Sequence, residues 1–290
     1  VAVCPKEGEL MSKNFFMATL LNVLVIVVVV VHAFPIIWIV MNSFKEAVDI
    51  NAYPPVFLFK PTLENYKVLF DLADAEATNY GTLKIDFLKP VLSSVIISVG
   101  AVLLSLIAGV PAGYALARFD FRGKEDLAFF ILGFRFAPVL LVIIPMFQFF
   151  QAVRLTDTYF GMIWVYQLIT LPMIIWLSRS YVEDIPLEIE EAAAICGAKR
   201  PQIMLQVVLP LLRPGLVGAS LLVFLLAWHN FALGLILTAK NTPVTVALLK
   251  LLNPGISFYP VMSAGLVVSM IVPICLIILG QRHLERGLTF

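Results

Sequence analysis

The chain has 290 residues, of which 61% are apolar and only 13% charged, with a formal net charge of +1. A soluble domain carries about 25% charged residues, so this composition, with a mean hydropathy of +0.97, places the chain in lipid as one membrane domain. It gives no support to nucleic-acid binding. Cys4, Cys196 and Cys275 lie far apart, with neither a zinc spacing nor a paired framework. On this reading Cys196 is a cytoplasmic thiol and Cys275 a small residue at lipid depth.

The chain opens on Val1, and its first Met is Met11. The apolar run from Phe15 exceeds the roughly 7–15 residues of a signal-peptide core, so it reads as an uncleaved first span. About 20 apolar residues cross a bilayer. On that length the spans fall at Phe16–Met41, Pro90–Leu116, Leu127–Phe150, Tyr159–Ser178, Pro210–Ala239 and Val261–Gly280. The reading is therefore an all-α membrane protein with six transmembrane helices. Residues 1–15 form a cytoplasmic segment. Residues 16–89 hold the first span and an extracytoplasmic loop. Residues 90–281 form the core, and 282–290 a cytoplasmic tail.

Six spans put both termini on one side, and basic residues decide which. With the termini inside, eleven Lys and Arg fall on cytoplasmic segments and span ends, against eight outside. Five of those eight lie in residues 42–89, a loop whose acidic residues outnumber them. The short loops agree: Phe119–Asp126 carries Arg122 and Lys124 beside Arg118, whereas Gln151–Thr158 carries only Arg154.

The segment between spans four and five, residues 179–209, has helix punctuation of its own. Pro186 suits a first helical position. Glu188, Glu190 and Glu191 then favour the positive end of the helix dipole. Ala192, Ala193 and Ala194 are strong helix formers, and Gly197 can take the left-handed cap. Pro201 opens a second short helix, and Pro210 marks the entry to span five.

The order Glu191-Ala192-Ala193, three residues, Gly197, then Val207-Val208-Leu209-Pro210 resembles the EAA loop of importer-type ABC permeases. Residues 113–124, Gly-Tyr-Ala-Leu-Ala-Arg-Phe-Asp-Phe-Arg-Gly-Lys, resemble the AYALAR-F-x-F-x-G boundary of sugar-type members, with Gly113 replacing the first Ala. Leu171-Pro172, Trp228-His229-Asn230-Phe231, Gln281-Arg282-His283 and Arg286-Gly287-Leu288-Thr289 extend the likeness over residues 15–290. It is similar to the second permease subunit of carbohydrate importers, the maltose-type inner-membrane subunit. The resemblance implies the type I ABC-importer transmembrane fold in a bacterial inner membrane. It implies a homologous permease, two ATPase subunits that bind ATP and Mg, and an extracytoplasmic solute-binding protein as partners. The implied cargo is a sugar, polyol or glycoside. It also implies that 179–209 carries a coupling helix, with Glu191, Ala192, Ala193 and Gly197 at the ATPase contact. Cys196 departs from the Asp that usually precedes this Gly.

Three polar residues at membrane depth are pathway candidates. Arg135 lies eleven residues past Lys124, ~16 Å into the membrane, where a charge normally faces a cavity or a partner. His229 and Asn230 sit toward the middle or outer half of span five, where helical offset puts them on neighbouring faces. Gln148, Gln151 and Gln167 are weaker candidates. Gly109 and Gly113, and Gly265 and Ser269, form small-xxx-small pairs suited to helix packing. Pro35, Pro111, Pro138, Pro145, Pro172 and Pro273 would kink spans. No phosphate-binding loop, catalytic carboxylate pair, zinc set or nucleophile triad stands out, so the chain reads as no enzyme, with no cofactor of its own and no metal site. The alternative of a stand-alone secondary transporter would need midplane carboxylates, and no span contains Asp or Glu.

Overall fold

A computed structural model describes residues 7–72, 86–134, 139–252 and 258–287, with side chains for 17–72, 86–134, 142–252 and 258–281. Arg135, Pro138, Cys4 and the side chains of the 282–290 tail lie outside the described residues.

The described secondary structure is helical. Helix α1, Glu7–Ser43, is followed by two short helices, α2 (Ala47–Ile50) and α3 (Glu64–Leu69). Asn65 ties this region together by donating to the carbonyls of Ser43 and Lys45, both at 2.9 Å. Three long helices then build the centre: α4 (Leu88–Arg118), α7 (Tyr159–Glu183) and α10 (Leu209–Trp228), joined by α13 (Tyr259–Gly287). Between α4 and α7 lie α5 (Lys124–Gly133) and α6 (Val139–Ala152). Between α7 and α10 come α8 (Leu187–Ile195), α9 (Arg200–Ile203) and a π-helical turn, Met204–Val208. Two short helices, α11 (Ala232–Leu237) and α12 (Val244–Lys250), precede α13.

Five helical stretches are long and apolar enough to cross a membrane: Met17–Ser43, Leu88–Arg118, Tyr159–Glu183, Arg200–Trp228 and Tyr259–Gln281. The expected span Leu127–Phe150 is divided instead, between α5 and α6. The core runs through α4, α7, α10 and α13, with Val110, Tyr114, Ile174, Leu212, Phe224 and Val261 all buried. A second apolar cluster joins Ile97, Met162, Tyr166 and Leu233. Helix α1 lies beside α13, with most of its apolar side chains from Met17 to Ile37 exposed.

Small residues line the crossing of α4 with α7. A Cβ on Gly109 would come within 2.7 Å of the Ile174 side chain. One on Gly113 would come within 2.8 Å of the Ile175 carbonyl oxygen and 2.9 Å of the Arg179 amide nitrogen. Without an aqueous driving force between helices, such close approach is what dispersion requires. Here lies a reason for glycine at position 113. Polar glue supplements it: Ser105 Oγ lies 2.7 Å from both Gln167 Oε1 and Thr170 Oγ1. Gln167 Nε2 donates in turn to the carbonyls of Ala101 (3.2 Å) and Ile163 (2.9 Å). Gln167 is thus occupied in joining α4 to α7. Gly265 packs in the same way, against Leu248 and Phe87, while Ser269 is buried and donates to the Leu266 carbonyl of its own helix (2.8 Å).

Two boundaries differ from the sequence expectation. Pro210 does not begin span five; the helix is continuous from Arg200 to Trp228. Proline at 210 has no N–H to give the Gln206 carbonyl. The helix accommodates it by widening: the Leu209 amide bonds the Met204 carbonyl, five residues back. At the other end, the expected span Pro210–Ala239 breaks at His229 and Asn230. The Asn230 side-chain oxygen accepts from the Leu233 amide (3.1 Å), holding the first turn of α11. Local side-chain competition of this kind is how Asn ends helices.

Candidate coupling site

Helix α4 ends in basic residues, and the chain then reverses at Gly123, whose φ of +82° is left-handed. This turn delivers α5. Arg179, near the end of α7, reaches across to it: Nη1 and Nη2 donate to the two Glu125 carboxylate oxygens at 3.0 and 2.7 Å. The hydrogen bonds from Arg179 hold the Glu125 carboxyl below its usual value. Arg179 Nε also donates to Glu183 at 2.8 Å. Glu125 is largely exposed, so this brace is solvent-screened and contributes little.

Helix α8 begins one residue later than expected. Pro186 has an extended ψ of 133° and caps the helix from outside, with Leu187 as its first residue. The far end closes as the sequence requires. The Gly197 amide bonds the Ala194 carbonyl (2.9 Å) and the Ala198 amide bonds the Ala193 carbonyl (3.1 Å). Gly197 has φ +88°. Together these are a Schellman closure with a left-handed glycine. Gln202 Oε1 then accepts from the Lys199 amide (2.8 Å), starting α9.

The helix has two unlike faces. Ala193 is half-buried against the main core, and Glu190 is only 2% exposed. Outward lie Leu187, Glu188, Glu191, Ala192, Cys196 and Gly197, with Ile195 87% exposed. Among the described residues Glu191 makes no ion pair. Of the four predicted contact residues, Glu191, Ala192 and Gly197 are on the open face, whereas Ala193 turns toward the bundle.

Sequence reading passed over the most heavily bonded acid of the loop. Glu190 Oε1 accepts from Arg118 Nε at 2.6 Å, and Oε2 accepts from the Tyr114 hydroxyl at 2.7 Å. Arg118 Nη2 also donates to the Ile185 carbonyl at 2.6 Å. The Arg118 and Glu190 side chains are 9% and 1% exposed. Removing one member of such a pair strands a buried charge, at about 3–5 kcal/mol. A weak signal existed: of two adjacent glutamates on a helix, only one can face water when Ala193 faces the core. The partner, 72 residues earlier, had no signal beyond its place at a span end. Arg200 lies close by, its guanidinium 5.8 Å from the Phe119 ring centroid.

Of the pathway candidates, His229 and Asn230 are described, side by side at the end of α10. Arg135 lies outside the described residues. His229 is exposed, with Nδ1 2.8 Å from the Leu225 carbonyl oxygen. Asn230 is hydrogen-bonded locally: besides capping α11, its carbonyl accepts from Tyr166 (3.4 Å) and Thr245 (3.2 Å). Neither lines either of two large apolar grooves on the bundle. One, about 810 Å³, lies among α4, α5, α6 and α7 and includes Leu104, Met146, Trp164 and Gln167. The other, about 760 Å³, lies between α4 and the π turn with α10 and includes Tyr114, Leu212 and Arg213.

Comparison with known proteins fits this architecture. Residues 109–290 match the family described as binding-protein-dependent transport system inner membrane component. The trehalose/maltose transport system permease protein MalG of Thermococcus litoralis is 30% identical over 284 residues, covering 96% of this chain and 98% of that one. The inner membrane ABC transporter permease protein YcjP of Escherichia coli is 32% identical over 265 residues, 90% of each chain. Among solved structures, a bacterial ABC transporter involved in the import of the acidic polysaccharide alginate superposes with a TM-score of 0.75 at 25% identity. That match covers 93% of this chain and 97% of the other. The chain belongs to the binding-protein-dependent inner membrane transport components, and is a permease subunit of an ABC importer.

Proposed function

We propose that this permease forms half of the translocation pathway for a sugar, polyol or glycoside, and that α8 is the coupling helix seated in a cytoplasmic ATPase. The observation that carries the coupling role is the open face of α8. Glu191, a carboxylate without an ion pair among the described residues, stands on it among exposed Leu187, Ala192 and Ile195. An 87% exposed isoleucine between an alanine run and a glycine cap suits an apolar cleft, and Glu191 beside it suits an arginine of the partner. The small Ala192 lets a foreign surface approach the backbone.

The carbohydrate class rests on the relatives, whose names give trehalose, maltose and arabinooligosaccharides as cargo. On this reading a homologous permease supplies the other half of the pathway. Two ATPase subunits carry ATP and Mg, and a solute-binding protein docks on the opposite face. Both termini are then cytoplasmic. Arg135 is a pathway wall or an interface residue by its depth alone. Membership in the importer family sets the stand-alone secondary transporter aside.

The test is co-expression of this chain with its companion permease, ATPase and binding protein, followed by purification through a tag on this chain. The reading expects an ATPase and a second permease to co-purify. Reconstituted vesicles should take up at least one of labelled maltose, trehalose or an arabino-oligosaccharide, only with ATP inside. Absence of a co-purifying ATPase would overturn it.

A further inference from the structure

Helix α8 is followed within a few residues by the open Gly197 turn, around which no atom lies within 4 Å of a built Cβ. Beyond that turn lies the widened π turn before Pro210. The backbone route from α8 to α10 therefore passes two deformable points. The route to α4 is different. It is made by side chains, and it is buried. Arg118 grips the loop twice, at the Ile185 carbonyl and at Glu190, and Tyr114 holds the second Glu190 oxygen.

The opposite end of α4 is held as well. Ser94 Oγ accepts from the Val244 amide at 2.8 Å, where α12 begins, and Ser93 Oγ lies 3.1 Å from the Tyr159 hydroxyl at the start of α7. Between these ends α4 has 31 residues, about 46 Å at 1.5 Å per residue, packed along α7 with no side chain between them at Gly109 and Gly113. We propose that Glu190 is a positioning residue that locks α8 to the end of α4, making α4 the strut that carries movement of α8 across the membrane to α12. This rests on the coupling role of α8 proposed above.

Two adjacent glutamates then have separate tasks. Glu191 faces outward to the ATPase, and Glu190 faces inward to the strut. Loss of Glu190 leaves ATPase docking intact but lets α8 move without α4. The exposed Arg179–Glu125 brace, which joins α5 to α7, has no part in this transmission.

The test uses the assembled complex with Cys4 and Cys275 replaced by Ser. Spin labels sit on the exposed Cys196 and on an Asp120→Cys site just past α4. Their separation is measured by pulsed electron resonance without nucleotide and after ATP–vanadate trapping. With Glu190 intact the separation is the same in both states. In Glu190→Gln it differs between states by about 2 Å or more, with the ATPase still bound and hydrolysing ATP. Glu125→Gln behaves as the unmutated complex. A separation that changes with Glu190 intact, or that stays fixed in Glu190→Gln, overturns the proposal. If Glu190→Gln does not assemble, Arg118→Lys decides in the same way, since it keeps the charge but loses the planar fork that spans Glu190 and the Ile185 carbonyl. A complex that contains no ATPase, or traps no nucleotide, refutes instead the coupling role of α8.

Discussion

At the residue scale, two glycines make contrasting predictions. Gly197 has a left-handed φ of +88° and open space around it, so a side chain there costs only backbone strain, about 1–2 kcal/mol for most residues and more for a β-branched one. Gly197→Val should therefore disturb the α8 closure and reduce ATP-driven transport, with little change in circular dichroism, because only one turn is affected. Gly197→Asn should be nearly neutral, since Asn tolerates this region. Equal uptake by Gly197→Val and the unmutated complex would refute the role of the cap. Gly113 is the reverse case, with ordinary φ and no space. Its Cβ would meet the backbone oxygen of Ile175 at 2.8 Å, whereas that of Gly109 meets only side-chain atoms, nearest the γ-methyl of Ile174 at 2.7 Å. Gly113→Ala should lower thermal stability in detergent by roughly 1–3 kcal/mol, and Gly109→Ala by less, because a side-chain methyl can shift and a helix backbone cannot. Gly197 was legible in the sequence because a cap is a local demand. The tight site at Gly113 was legible only as a small-xxx-small spacing, because the neighbour that makes it tight lies on another helix.

At the element scale, the connectors on the side opposite α8 are joined by one carboxylate. Asp157, with φ +58°, accepts from three successive amides, those of Ala239 (3.0 Å), Lys240 (3.0 Å) and Asn241 (2.9 Å). Asn241 Nδ2 donates back to the Asp157 carbonyl at 2.7 Å. Partial burial pushes the Asp157 carboxyl up, but the three amides outweigh it and hold it below its ordinary value of 3.8. A depressed folded value means that the stabilisation is complete above pH ~4 and is lost as pH falls through the folded value. Hydrogen exchange at the 239–241 amides, corrected for intrinsic rate, should show constant protection above pH ~4 and declining protection below it. Asp157→Ala should lose that protection at every pH; protection that survives in Asp157→Ala would show that the amides are held by something else. Nothing in the sequence pointed here, since Asp157 and the 239–241 amides are about eighty residues apart. Element existence was far more legible. Apolar length located the stretches Met17–Ser43, Leu88–Arg118, Tyr159–Glu183 and Tyr259–Gln281 within about five residues at each end, because spanning a bilayer is a demand on composition. The breaks escaped it. An apolar run reads the same whether Asn230 caps a new helix inside it or not. Pro210 reads as a start whether or not the preceding turn widens to keep the helix whole.

At the scale of the whole molecule, the chain is one part of a machine, and its surface divides accordingly. The face of α1 and the two grooves beside α4 are apolar, while the open face of α8 mixes polar and apolar side chains. The sequence located that face through a motif, but geometry separated its members. Glu191 is outward, Glu190 is inward, and Ala193 packs against the core. A substitution at Glu191 should therefore act on the complex and leave the fold of this subunit alone. Glu191→Lys places a cation where a partner arginine is expected, at about 2–5 kcal/mol if the contact is desolvated. Docking should weaken without being abolished, because Leu187, Ala192 and Ile195 still offer apolar contact. The expected outcome is a complex that retains part of its ATPase on purification, with binding-protein-stimulated ATP hydrolysis and uptake both strongly reduced. The subunit alone should keep its thermal stability, since Glu191 makes no ion pair among the described residues. The measurements are ATPase content per permease, stimulated hydrolysis, and uptake normalised to assembled complex. Normal uptake with a full ATPase complement in Glu191→Lys would mean that the open face of α8 is not where force enters this permease.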